Sequence, residues 1–234
     1  SSIDVFENSD IEQNTDKYKS FLLSKDLINS FRNGNLTTND VFNVKKLAKL
    51  FALTDLFGFH HATAFTNIRF YYNPITSRLE PIGYDQTIIA KLNEHGLYTE
   101  NNQNENFHKL WSNIFLDKKF IKEYYKGLDL FSSKAYLDTF LEDINDDLLS
   151  KKQIINKSYP LYKFQGEKIL YDNQNYIRKV LNPEKMISIH LNNMEDNQLS
   201  LTLSNLQVIP IKVLSVSFGL DTLKPLNPYY IEGR

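Results

Sequence analysis

Residues 66–85 read TNIRFYYNPITSRLEPIGYD, and the fold turns on how this stretch is read. β-Branched and aromatic residues gather in two runs, 68–72 and 79–84, either side of the turn sequence NPITS. The pattern predicts a β-hairpin. Pro81 puts the second strand at an edge, because proline has no N–H to give to a ladder. Asn67 and Asp85 stand at the two feet of this hairpin. Two oxygen-bearing side chains so placed can share a hard cation such as Mg²⁺, which prefers oxygen ligands. They can equally be strand-end residues that bind nothing, and spacing alone leaves both readings open.

Upstream, DKYKSFLLSKDLINSFRNG carries apolar residues at helical spacing and ends at Gly34. The next helix starts after an Asn43 cap and stops at Gly58. On it, Lys45, Lys46 and Lys49 make a charged stripe, with Val44, Leu47, Ala48 and Phe51 roughly opposite. Asp55 falls on the apolar side. A carboxylate there needs partners, since an unpaired buried charge is costly. A cap on the following loop is the plain reading.

Downstream of the hairpin, residues 92–106 (LNEHGLYTENNQNEN) read as a polar loop. Helical spacing then resumes at Phe107, Leu110, Trp111, Ile114 and Phe115. A second set, Phe120, Ile121, Tyr124, Tyr125 and Leu128, follows an Asp117 cap, and Leu137, Phe140, Leu141, Ile144 and Leu148 form a third after Ser132 or Ser133. A further helix covers 167–181 and stops at Asn182-Pro183. From Met186 the period changes to two in ISIHL, LSLTL and VIPIKVLSV. The predicted class is therefore α+β: a polar lead-in (1–15), a mainly helical lobe with a hairpin (16–185), and the start of a β-sheet or sandwich (186–234).

The 27 basic and 28 acidic residues are mixed along the chain, which gives no electrostatic footprint for a nucleic-acid backbone. No apolar run is long enough to span a bilayer. The absence of cysteine removes disulfides and thiolate metal sites. The chain opens SSID and closes with the protease-cleavage sequence IEGR, so both ends read as cut points with neighbouring domains beyond them. No G-x-S-x-G elbow places a serine for hydrolysis.

The stretch 40–86, DVFNVKKLAKLFALTDLFGFHHATAFTNIRFYYNPITSRLEPIGYDQ, resembles the central part of the CotH family of atypical, kinase-like proteins. The resemblance rests on LAKLFAL, then N-x-R-F-Y-Y-N-P, then L-E-P-I-x-Y-D. DKKFIKEYYKGL and DNQNYIRKVLNP are similar to the family's later helices, so it covers roughly residues 16–183. It implies a kinase-like C-terminal lobe that moves phosphoryl from Mg·ATP to a protein hydroxyl. It implies Asn67 and Asp85 as the Mg²⁺ and nucleotide ligands, with Gln86 where ordinary kinases have Phe. A bacterial surface, envelope or spore-coat location follows from the same resemblance.

Kinase-like members place an aspartate in the loop shortly before the asparagine, and here that loop reads HHATAFT. His61 lies nearest the expected place and Asp55 is upstream, so these two are the candidates for orienting the acceptor. A histidine can accept a proton near neutral pH. The phosphate-covering glycine-rich loop and phosphate-pairing lysine belong before the first helix, where only 15 polar residues stand, so that lobe is expected outside this chain. The alternative is a catalytically inactive kinase-like scaffold serving as a surface or envelope interaction protein. His60-His61 hints at a metal, but adjacent side chains rarely aim at one ion. Arg69 and Arg78 are candidates for phosphate or carboxylate pairing, or for ordinary cross-strand charges.

Overall fold

Asn14 starts the first helix, α1 (Thr15–Arg32), by accepting the backbone N–H groups of Asp16 and Lys17 at 3.2 and 3.1 Å. A computed structural model describes residues 3–5, 11, 13–58, 60–64, 67–85, 90–98, 109–195, 198–207 and 210–233, without the side chains of 94, 95, 109, 110 and 218. The class is mixed α+β, with helices over most of 15–181 and strands in small antiparallel pairs. The chain divides into two compact units, Ser1–Lys179 and Val180–Arg234.

A short helix, α2 (Thr38–Val41), is closed by a Thr37–Asp40 capping box. It leads into α3 (Val44–Phe57), where the Asn43 side chain accepts the Lys46 N–H at 3.2 Å. The lysine stripe of α3 is exposed, while Val44, Leu47, Ala48 and Phe51 are buried as the periodicity predicts. α3 ends at Gly58 with φ +68°, and a Cβ on Gly58 would lie 2.3 Å from the Ala90 carbonyl oxygen. Left-handed backbone and close approach both call for glycine there. A 3₁₀ turn follows at His60–Thr63.

The hairpin is β1 (Arg69–Asn73) and β2 (Arg78–Ile82), antiparallel with Tyr71 opposite Glu80. Its strands sit within one or two residues of the predicted bounds. Asn73 shapes the turn by accepting the Ile75 N–H at 3.0 Å, and Ser77 takes a left-handed φ of +51°. β2 is moored to the start of α3. Asn43 N–H donates to the Leu79 carbonyl at 2.9 Å, and Lys46 Nζ lies 2.5 Å from Glu80 Oε2. The side-chain amides of Asn43 and Asn73 also donate to Glu80, at 3.3 and 3.2 Å.

The expected polar loop is corrected over its described part. Leu92–His95 form a helical turn, α4, and Leu92, Leu97 and Tyr98 are buried. Three apolar residues without helical or strand spacing leave no periodic signal, yet each fills the core. The remainder of that loop, with Phe107, lies outside the described residues. Next come α5 (Lys109–Phe115) and α6 (Lys118–Phe131), the latter capped by Asp117, which accepts from the Lys119 and Phe120 N–H groups at 2.8 Å each. α6 packs on α3 where Gly127 meets Ala52, so closely that a Cβ on Gly127 would lie 2.8 Å from the Ala52 Cβ. Phe51 centres the core, with ring centroids of Tyr98, Trp111, Phe115 and Phe120 at 4.7, 5.3, 5.6 and 5.7 Å, all edge-on.

The third apolar set does not make one helix. Ser133 caps α7 (Lys134–Asp143), the chain turns at Ile144, and α8 (Asn145–Ser158) follows with no buried residue. None of the apolar residues on α8 is buried, so no core holds Leu148 in line with Leu137. The last helix is α9 (Gly166–Leu181), one residue longer at its start than predicted.

In the second unit, β3 (Ile187–Glu195) and β4 (Gln198–Asn205) pair with Ile189 opposite Leu203 and Leu191 opposite Leu201. Ser188, His190, Ser200, Thr202 and Ser204 alternate with them onto the other face. The run VIPIKVLSV is divided between β5 (Ile211–Val213) and β6 (Val216–Phe218), with Val208 and Ile209 outside the described residues. β5 pairs with β8 (Tyr229–Ile231), and β6 with β7 (Asp221–Leu223). Asn205 is buried and donates to the Ile231 and Glu232 carbonyls at 3.3 and 3.1 Å.

Candidate functional site

The two histidines of the 3₁₀ turn point opposite ways. A 3₁₀ turn separates successive side chains by about a third of a revolution, so neighbours diverge. His61 turns outward, its side chain 62% exposed, and its Nε2 lies 3.1 Å from Asp85 Oδ2. Its backbone carbonyl accepts the Asn67 side-chain amide at 3.2 Å. Three of the four residues singled out by the sequence therefore meet at the base of the hairpin. Asn67 and Asp85 both touch the same residue.

The chemistry of this meeting fixes the direction of the amide. A carbonyl oxygen only accepts, so Asn67 must turn its nitrogen to His61, which leaves its oxygen as the atom available to a cation. Asp85 offers a carboxylate beside it. Asp85 also has a left-handed backbone, φ +51°, a conformation that Asp and Asn adopt more readily than other non-glycine residues. Strained backbone of this kind concentrates at binding and catalytic sites. One carboxylate and one amide oxygen suit Mg²⁺, which usually takes one or two protein ligands and fills the rest with phosphate and water. Among the described residues no group of three or more His, Cys, Asp or Glu side chains is placed to hold a metal.

Asp55, the fourth candidate, sits elsewhere. It is 0% exposed, on the core side of α3. His60 Nε2 lies 2.9 Å from its Oδ1, the Tyr124 hydroxyl donates to its Oδ2, and the Tyr98 backbone N–H donates to it as well. Burial pushes its carboxyl above the usual aspartate range, against the opposing pull of these hydrogen bonds, of which His60 is the largest. The Tyr98 and Tyr124 hydroxyls are pushed well up, first by burial and then by the Asp55 charge. No acceptor substrate reaches a carboxylate so enclosed.

The Arg69 guanidinium lies 4.0 Å from the Tyr84 ring centroid, beside Asp85 in sequence, and Arg78 pairs in register with Asn73 at the hairpin turn. Gln86 lies outside the described residues. Sequence reading missed Asn173, buried on α9, which joins three pieces of backbone. Its amide donates to the Leu56 and Ala90 carbonyls at 2.9 and 2.8 Å, and its oxygen accepts the Leu92 N–H at 2.7 Å. Its only signal was an asparagine amid the apolar spacing of the last helix.

No helix among the described residues is long and apolar enough to cross a membrane. Comparison of the chain with family models, curated proteins and solved structures found no match.

Proposed function

We propose that this chain is the mainly helical lobe of a CotH-like phosphotransferase that moves the γ-phosphoryl group of ATP to a protein hydroxyl. The observation that supports it is the convergence of both hairpin feet on His61, through its ring to Asp85 and through its carbonyl to Asn67. Asn67 and Asp85 would hold Mg²⁺, whose charge would offset that of the phosphates during transfer. His61, exposed beside them, is the group that would orient the acceptor. In the transfer the acceptor oxygen bonds to the γ-phosphorus as the bond to the β–γ bridging oxygen breaks. ADP leaves with that electron pair, and the acceptor proton passes to the His61 imidazole.

One observation favours a second reading. The described turn 60–64 offers histidine but no carboxylate, and its exposed histidine is already paired with Asp85. A scaffold that binds Mg·ATP without transferring phosphate, and presents neighbouring domains at a bacterial surface, envelope or spore coat, fits that arrangement.

Calorimetric titration of Mg·ATP into the protein and its Asp85→Ala variant tests both readings. The Asp85–His61 pair is exposed, so the substitution is expected to cost no more than about 1 kcal/mol of stability. Binding that needs Mg²⁺ and vanishes in Asp85→Ala supports a phosphate site, and phosphorylation of an added protein then separates enzyme from scaffold. Equal binding by both proteins, or none by either when the titration is made on the longest parent protein, makes the hairpin plain framework.

A further inference from the structure

The 3₁₀ turn His60–Thr63 is fastened from inside at both of its ends. His60 holds buried Asp55, and its ring lies 4.5 Å from that of Tyr98. Thr63 bonds the buried Tyr98 hydroxyl and donates to the His60 carbonyl at 3.1 Å. Asp55 is in turn held by Tyr124 of α6 and the Tyr98 backbone. Between the two fastened residues stands His61, whose ring and carbonyl meet Asp85 and Asn67. A turn this short has few backbone bonds of its own, so its orientation follows whatever grips its side chains.

We propose that Asp55, together with Tyr124, is a positioning residue that sets the candidate site through His60: moving the carboxylate moves the turn, and with it the meeting of His61, Asn67 and Asp85. Asp55 touches no ligand in this scheme. The metal half of the inference rests on the function proposed above, while the geometric half stands without it. A carboxyl group sealed in the core is costly to keep, and apolar residues often pack in such places at no loss of stability. A role in aligning a functional surface accounts for retaining it. Groups that orient a metal-binding shell from behind typically change affinity by roughly 10–100-fold when removed.

The test compares Asp55→Asn, His60→Phe and Tyr124→Phe with Leu137→Ala, a core variant on α7 that destabilises the fold without touching the turn. Two signals are read in each folded protein. One is the NMR cross-peak pair of the Asn67 side-chain amide, which reports the bond to the His61 carbonyl without any metal. The other is affinity for Mn²⁺, standing in for Mg²⁺, from its paramagnetic relaxation. The expected result is an altered Asn67 amide and Mn²⁺ binding weakened roughly tenfold or more in Asp55→Asn and His60→Phe. Tyr124→Phe, which loses one hydroxyl, should move both signals less, and Leu137→Ala neither. If the wild-type protein binds no Mn²⁺ but the amide responds as described, the positioning role stands and the metal reading falls. An unchanged Asn67 amide in folded His60→Phe and Tyr124→Phe overturns the proposal, as does an equal change in Leu137→Ala.

Discussion

Replacing Asn173 with Leu, which has the same branching of heavy atoms, removes three hydrogen bonds at 2.7–2.9 Å from a site that water barely reaches. The Leu56 carbonyl, the Ala90 carbonyl and the Leu92 N–H lose their side-chain partner together. A buried backbone group left unsatisfied costs about 1–3 kcal/mol. Ala90 is only half-buried, so water can recover part of its share, and the sum is about 3–6 kcal/mol. That is a large fraction of the ~5–15 kcal/mol that holds a typical domain together. Urea unfolding followed by tyrosine and tryptophan fluorescence measures it directly. Asn173→Asp separates polarity from packing: it keeps an acceptor for Leu92 but sets a carboxylate against two carbonyls, so it should be no better than Leu. A loss below about 1 kcal/mol in Asn173→Leu, or Asn173→Asp behaving like wild type, would refute the claim that this amide ties α3, α4 and α9 together.

Two further outcomes follow from packing and charge. Gly127→Ala gains up to about 1 kcal/mol of helix propensity, but its Cβ would meet that of Ala52 at 2.8 Å, a clash of the kind that costs about 1–3 kcal/mol. A net loss of stability is expected, and Ala52→Gly in the same chain should reverse the clash; independent effects in the double-mutant cycle would count against the crossing described. The Glu80 carboxyl is held below its ordinary value of 4.5, chiefly by Lys46 and then by the Asn73 amide. Its folded-state pKa is depressed, so its contribution is complete above the ordinary value and is lost as pH falls through the lowered one. The melting-temperature gap between wild type and Glu80→Gln should therefore narrow from neutral to acid pH. A gap constant over that range would exclude the ion pair as its source.

Much of the first unit was legible because it depends on neighbours in sequence. Asn43, Asp117 and Ser133 are short polar side chains that satisfy N–H groups two or three residues on, so these helix starts could be read directly. Gly58 and the NPITS turn ended their elements for equally local reasons. The period-two runs after Met186 gave β3 and β4, and the hairpin bracketed by Asn67 and Asp85 was plain from its strands.

What tertiary structure alone decided is which distant groups meet. Asp55 was visible as a carboxylate on the apolar side of a helix, but its partner Tyr124 lies on another helix, and no local pattern records that pairing. His60 and His61 look alike in sequence, and only packing sends one into the core and the other to Asp85. Leu92, Leu97 and Tyr98 sat in a segment that read as polar, because their partners come from elsewhere in the chain: Asn173 accepts the Leu92 N–H and Phe51 packs edge-on to Tyr98. Capping and turn chemistry act over a few residues and leave their mark in order along the chain. Hydrogen bonds between buried groups depend on distance in space, and folding alone sets that.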